Sequence, residues 1–452
     1  MTSSQESIPP QDVIFHPHSF ADYDGRLFSW EGNLYRGISA ERAAFFLQLF
    51  RNGSVQDLIG RGLVATKLTD FSLDGYALVV QHKEVPFPSY PNEWCMAMLK
   101  DAAALILDLA IDLTHKKLSL KDGHPWNVLF DFHEPKLVDL TSIVPLGSDR
   151  EWLAYDEFCR FCYYPLILMA HGQERIARCL LSEYEGVKRT DLLALARSFT
   201  VSTFAVSKLF DRIVKPIRTW KQGDGPKSQL STLRQLKRDL EMIVEPSHSA
   251  PPALAREVRT QVIAGGTETA EWQVLYKVLS DKRPGSVLDI ANGEFHHPEQ
   301  ITRLGCEVVY FAANSESATR VYRDARKQSL RILPLLIDIL KPTPSIGYSS
   351  HYSIAATERF KCDMVVGLTL VDYLVLGKYF NFDLIAEILS SFSKRWAIAG
   401  FSSREYLEAD RRLNPPSWYT LDNFMNALRV RFRSVEAIWS DSGGRAFLFC
   451  AM

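Results

Sequence analysis

From residue 267 to the C-terminus the chain alternates short apolar runs with helical segments, and this pattern constrains the fold more than any other feature. The runs at 286–290 (SVLDI), 307–311 (EVVYF), 332–337 (ILPLLI), 364–370 (MVVGLTL) and 396–401 (WAIAGF) have the length and content of strands buried on both faces. Helical stretches, among them 317–328 and 382–391, separate them. Such alternation predicts a doubly wound, mostly parallel α/β sheet. The ending breaks the rule: 434–439, the turn SDSGG and 445–450 read as an antiparallel hairpin that closes the sheet.

The preceding residues have a different texture. Residues 1–90 mix strand-like runs with turns, as in GRLFSWEGNLYRGI, with a Gly-Asn turn between aromatic segments, and GYALVVQHKEVPF. Helices dominate residues 91–220, beginning with the apolar segment 96–118. The stretch 221–266 holds KQGDGPKSQ and EPSHSAPPA around one polar amphipathic helix and reads as a linker. With 452 residues, more than one core is expected. The predicted organisation is an α+β region over 1–220, with a small lobe over 1–90 and a helical lobe over 91–220, then the linker, then an α/β domain over 267–452.

Composition excludes several classes. Hydrophobic residues at 46% and charged residues at 23% rule out bulk disorder, and a net charge of −1 indicates no nucleic acid or anionic membrane as partner. The start MTSSQESIPPQDVIF lacks a basic segment followed by an apolar core, so a cytoplasmic location is expected. The run AAALILDLAIDL is broken by Asp108 and Asp112 and is too short to span a bilayer. Seven scattered cysteines offer one close pair, Cys159 and Cys162, with no second pair to complete a metal site, so both are expected in the core.

In an open α/β sheet the first strand-to-helix turn commonly approaches the ligand. Here that turn is Asp289-Ile290-Ala291-Asn292-Gly293-Glu294-Phe295. The strand VLDI before a Gly-Glu-Phe turn, the strand EVVYF after it and the later ILPLLIDI resemble a bacterial family of class I S-adenosylmethionine-dependent methyltransferase-like proteins. That family carries a kinase-like N-terminal region, and rhizobial host-specificity nodulation proteins belong with it. The resemblance implies a Rossmann-like methyltransferase fold, with the closing hairpin as the feature that sets it apart from dinucleotide dehydrogenases. It implies cofactor contacts from Asp289, Gly293 and Glu294 at the first turn, and from Asp338 to the adenine amino group. The chain departs from the family pattern in two places. Ala291 replaces the first glycine of a shortened turn, and Ala312 stands where an acidic residue grips both ribose hydroxyls; Asn314 and Glu316 are the nearest polar substitutes. Asp372 and Tyr373, after VVGLTLV, fall where this fold places substrate-side residues, Asp372 being suited to take a proton from a hydroxyl. The plainer alternative is a loop carboxylate and a packed tyrosine.

A second motif lies upstream. Asp122, Asn127 and Asp139 have the order and spacing of the catalytic aspartate, metal-binding asparagine and second metal-binding aspartate of kinases. The stretch DGHPWNVLF resembles the catalytic loop of aminoglycoside-phosphotransferase-like kinases, which implies a magnesium-nucleotide at Asn127 and Asp139 with Asp122 as base. No glycine-rich phosphate loop is evident, and Lys67 in LVATK is the one lysine placed to pair with phosphates, or else a surface lysine. Three functions follow. The first is a methyltransferase using S-adenosylmethionine on a small molecule, saccharide or lipid-linked saccharide such as a nodulation signal; the others are a catalytically degenerate binding or regulatory protein, and a small-molecule kinase. The substrate and oligomeric state stay open at this point.

Overall fold

The seven strands expected in the C-terminal half form one sheet. In a computed structural model that describes residues 6–19, 22–147, 152–199, 228–246, 268–291, 298–408, 414–439 and 444–452, the chain divides into two units. The first comprises Met1–Phe130, Pro135–Pro246 and Ile346–Ser353; the second comprises Asp131–Glu134, Ser247–Ser345 and Ile354–Met452.

The first unit contains β1 (Ile14–Phe15), β2 (Gly25–Trp30), β3 (Asn33–Ile38), β4 (Thr66–Leu68) and β5 (Leu78–His82). They make an antiparallel sheet in the order β1-β2-β3-β5-β4. The turn between β2 and β3 is Glu31-Gly32, not the Gly-Asn pair that the sequence suggests. Trp30 and Asn33 face each other across the ladder, and both turn residues have positive φ, 47° and 72°. A two-residue hairpin whose twist matches its strands needs that conformation at both positions, and Gly32 meets it without strain. Ile8, Phe28, Trp30, Tyr35, Leu73 and Val79 pack into a core on this sheet.

Helix α1 (Ala40–Arg51) follows β3, and α2 (Met96–His115) opens the helical part. The linker stretch contributes α3 (Gln229–Glu241), which packs on α2: Lys100 Nζ donates to the Ile243 carbonyl at 2.6 Å, Gln229 donates to Thr114 at 3.0 Å, and Lys237 pairs with Asp108. Residues 221–227 and 247–266 of that stretch lie outside the described residues. Cys159 and Cys162 are buried with free thiols.

The second unit opens with α4 (Glu268–Lys282), followed by β6 (Ser286–Ile290), β7 (Glu307–Phe311), α5 (Ser315–Gln328), β8 (Ile332–Leu335), β9 (Cys362–Gly367), α6 (Leu370–Lys378), α7 (Phe382–Phe392), β10 (Ser393–Ser402), α8 (Leu421–Arg429), β11 (Ser434–Trp439) and β12 (Arg445–Ala451). Strand order is β8-β7-β6-β9-β10-β12-β11, parallel from β8 to β10 and antiparallel in the last two pairings. This is the doubly wound, mostly parallel α/β sheet with an antiparallel closing hairpin that the alternating pattern predicts. All five residues of β6 are buried, Ser286 and Asp289 among them, as in a strand covered on both faces. Pro334 sits in β8, an edge strand, where its missing N–H costs least.

One boundary differs from the sequence reading. The run 364–370 is a strand only to Gly367, and Leu370 already begins α6, whose Leu370, Val371, Leu374 and Val375 form a buried helical face. Gly400 in β10 lets the end of β9 come close: a Cβ there would stand 2.0 Å from the Leu368 carbonyl oxygen. Among the described residues no helix is long and apolar enough to cross a membrane.

Candidate functional site

In open α/β sheets the ligand crevice lies beyond the carboxyl ends of the strands, where strand order reverses. Strand β6 has β7 on one side and β9 on the other, so the reversal falls at β6. Asp289, next to last in β6, is 1% exposed and faces Tyr310 across the ladder. Burial and the charge of Asp289 push the Tyr310 phenol above its ordinary range. The Ala291 N–H donates to the Phe311 carbonyl at 3.0 Å. Gly293 and Glu294, which the sequence assigns to the cofactor turn, lie outside the described residues.

Beyond β7 the Ala312 N–H donates to the Leu335 carbonyl at 2.8 Å, which extends the ladder and buries a side chain without oxygen where the resemblance expects a ribose-gripping acid. Asn314 caps α5, its Oδ1 accepting from Ser317 N at 2.9 Å, and Glu316 is exposed in the first turn of that helix. Asp338, beyond β8, is exposed; its Oδ1 accepts from Leu340 N at 3.0 Å. S-adenosylmethionine would need an acceptor for its adenine amino group and a paired acceptor for its ribose hydroxyls. The donor set fits the first through Asp338 and departs from the second at Ala312.

Asp372, in the first turn of α6, is half-buried and held at both oxygens. Ser402 Oγ donates to Oδ2 at 2.6 Å, and the Tyr419 hydroxyl donates to Oδ1 at 2.6 Å. Burial raises the carboxyl above its ordinary range, and the two hydrogen bonds oppose that rise. Tyr419 is 1% exposed and stacks on Phe401 with ring centroids 4.8 Å apart. Beside them the buried Arg445 guanidinium donates to the Leu368 carbonyl at 3.1 Å, and burial lowers it to about 10. Tyr373 is largely solvent-facing, with Lys378 over its ring. Sequence reasoning therefore selected Asp372 but missed its partners; the polar Ser402 ending the apolar run WAIAGF was the available signal.

The first unit brings Asp122 near Asp139 and joins the backbone of Asn127 to that of Val138, next to Asp139. Asp122 N donates to Ser142 Oγ at 3.3 Å, and Val138 N donates to the Asn127 carbonyl at 2.9 Å. Burial and the charges of Asp139 and Glu157 push the Asp122 carboxyl up to about 7, with Lys121 opposing them. Asp139 Oδ1 accepts from Thr141 N at 3.1 Å and from Thr141 Oγ1 at 2.5 Å. Arg36 Nη1 lies 2.5 Å from Asp22 Oδ2, 2.8 Å from Thr141 Oγ1 and 3.4 Å from Asp139 Oδ1. Lys121 pairs with Asp24 at 2.7 Å. Lys67 is exposed on β4. Among the described residues no group of three or more His, Cys, Asp or Glu is arranged to hold a metal ion. Arg36 is the side chain at this cluster that the sequence reading missed. Its signal is the alternation Leu34, Arg36, Ile38, a charge in register with apolar residues on one face of β3.

Comparison with known proteins places these sites in context. No family model matches the chain. It is 25% identical over 386 residues to the nodulation protein NoeA of Rhizobium meliloti (strain 1021), covering 79% of each chain. Among solved structures, the N-methyltransferase NodS of Bradyrhizobium japonicum WM9 is similar over 42% of this chain and 98% of its own, at 11% identity and a TM-score of 0.27. TehB from Haemophilus influenzae is similar over 40% of this chain and 61% of its own, at 14% identity and a TM-score of 0.27. At such scores the fold assignment rests on strand order and pairing alone.

Proposed function

We propose that the chain is an S-adenosylmethionine-dependent methyltransferase that modifies a small molecule, a saccharide or lipid-linked saccharide such as a nodulation signal, in the cytoplasm. The observation that carries this reading is the β8-β7-β6-β9-β10-β12-β11 sheet with Asp338 and the doubly hydrogen-bonded Asp372 beyond its carboxyl edge. Similarity to a nodulation protein supports the nodulation clause. Asp338 would hold the adenine amino group, with Asp289 and the turn after it beside the rest of the cofactor. The bound cofactor supplies a methyl group on a good leaving group, so no metal is required. The protein aligns an acceptor hydroxyl against that methyl group and removes its proton. Asp372 is the base. Ser402 and Tyr419 fix both its oxygens, and burial holds its pKa above the usual carboxylate range, nearer to that of a useful base.

Ala312 favours a second reading, a methyltransferase-like protein that binds or regulates without turnover, because an alanine stands where the resemblance expects the ribose-gripping acid. Calorimetric titration separates the two. Wild type should bind both S-adenosylmethionine and its demethylated product, and Asp338→Ala should weaken both roughly tenfold through the lost hydrogen bond. Absence of heat with either compound overturns the methyltransferase reading; unchanged affinity in Asp338→Ala removes that residue from the site.

A further inference from the structure

We propose that Arg36 is a built-in cation standing where the metal of a phosphotransferase would act, so that the first unit keeps the Asp122, Asn127, Asp139 arrangement yet neither binds a metal-nucleotide complex nor transfers phosphoryl groups. The inference concerns the first unit only and is independent of methyl transfer. It takes its frame from the kinase-type spacing of those three residues, which in a working enzyme puts the second aspartate against a magnesium ion that bridges the nucleotide phosphates.

Asp139 faces a guanidinium instead. One nitrogen, Arg36 Nη1, serves Asp22 at 2.5 Å, Thr141 at 2.8 Å and Asp139 at 3.4 Å, and the Thr141 hydroxyl lies within reach of both Asp22 Oδ2 at 2.8 Å and Asp139 Oδ1 at 2.5 Å, with one proton to give to either. The ion pairs are well enclosed: Arg36 is 4% exposed, and the Asp22 and Asp139 side chains 18% and 17%. Arg36 is also fixed from behind. It sits mid-strand in β3 with ladder partners on both sides, Leu27 and Val80, so its backbone cannot move away without breaking the sheet. Magnesium requires carboxylate oxygens at about 2.0–2.1 Å in near-octahedral geometry. Asp139 Oδ1 already accepts from Thr141 N at 3.1 Å with the Thr141 hydroxyl 2.5 Å away, and a divalent ion brought to it would meet the guanidinium charge. Neighbouring charges are balanced the same way, with Lys121 and Arg42 on Asp24. Lys67, the lysine that the sequence offers for pairing with phosphates, is exposed on β4. The donor set therefore does not fit a metal while Arg36 is present.

Manganese serves as the probe, with and without ATP. The full-length wild type should show no saturable manganese-dependent ATP binding by calorimetry, and none by paramagnetic relaxation of water. Arg36→Gln keeps a polar side chain but frees Asp22 and Asp139, and should gain at least tenfold in manganese affinity; Arg36→Gln with Asp139→Asn should lose that gain. Saturable manganese-ATP binding by wild type that disappears in Asp139→Asn overturns the proposal. So does a folded Arg36→Gln that binds manganese no better than wild type. The wild-type titration decides the matter even where Arg36→Gln fails to fold. S-adenosylmethionine titration of the same samples reads the second unit separately, so failure of one reading is distinguishable from failure of the other.

Discussion

Replacing Tyr419 by Phe removes one oxygen from the second unit and leaves its ring in place. The stack on Phe401 and the contact with Phe382, centroids 5.5 Å apart, are kept, so no cavity opens. What is lost is a 2.6 Å hydrogen bond to Asp372 Oδ1. A hydrogen bond to a charged group contributes about 1.5–3 kcal/mol, so the variant should lose about 2 kcal/mol of stability where Asp372 is ionised. The pH dependence has a definite sign. Burial raises the Asp372 carboxyl and the Ser402 and Tyr419 bonds restrain it, so removal of the phenol raises it further. The folded variant then holds its proton more tightly than the unfolded chain does, which penalises folding above the folded pKa and relieves the penalty as pH falls through it. Urea unfolding of both proteins should show the deficit at about pH 8 and a smaller one at about pH 5. If Asp372 is the base, kcat for methyl transfer should also fall, with the rising limb of the pH–rate profile displaced upward and cofactor affinity unchanged. A deficit under about 0.5 kcal/mol, within the range of an ordinary surface change, or one independent of pH refutes the reasoning.

Two further outcomes test the packing. The Asp122 carboxyl, raised from 3.8 to about 7, opposes folding above that range, so Asp122→Asn should stabilise the chain at about pH 8 but not near pH 4. The full shift corresponds to a ceiling of about 4 kcal/mol, which partial solvent exposure reduces to about 2 kcal/mol; equal gains at both pH values in urea unfolding contradict the cause assigned. Gly400→Ala should cost about 1–3 kcal/mol or more, because its Cβ meets the Leu368 carbonyl oxygen at 2.0 Å; an unchanged melting temperature shows that β9 and β10 do not need that approach.

The sheet was legible because strands buried on both faces are predominantly apolar, as in SVLDI and EVVYF. That same rule blurred the end of β9. The apolar run continues through Leu370 and Val371, which belong to the buried face of α6, and composition alone does not mark where a buried strand becomes a buried helix. The hairpin between β2 and β3 shows a related limit: Gly-Asn and Glu-Gly are adjacent readings of one tetrapeptide, and only the Trp30–Asn33 pairing selects between them. Asn314 appeared as a polar substitute for a ribose-binding acid, yet its position at the start of α5 commits Oδ1 to Ser317 N. Side chains that meet across long separations left the faintest trace. Ser402 and Tyr419 reach Asp372 from 30 and 47 residues away, and Arg36 reaches Thr141 across 105.

The two carboxylate sites are held by opposite means, and the difference bears on which of them does chemistry. Ser402 and Tyr419 are neutral donors: they fix both oxygens of Asp372 and lower the cost of its burial without cancelling its charge, so the group can still accept a proton from a substrate. Arg36 cancels charge. Asp22 and Asp139 share its guanidinium inside the fold, where removing one partner of a buried pair typically costs about 3–5 kcal/mol, and that cost resists any exchange of the guanidinium for a metal. Asp122 is the apparent exception, a carboxyl raised to about 7 in the second of these settings. A general base in phosphoryl transfer needs the transferred group presented by a metal at its neighbour, and Asp139 is already taken. In the proposed reading the raised carboxyl of Asp372 keeps neutral partners that leave it able to take a proton, whereas Asp122 stands beside an aspartate that is paired with Arg36.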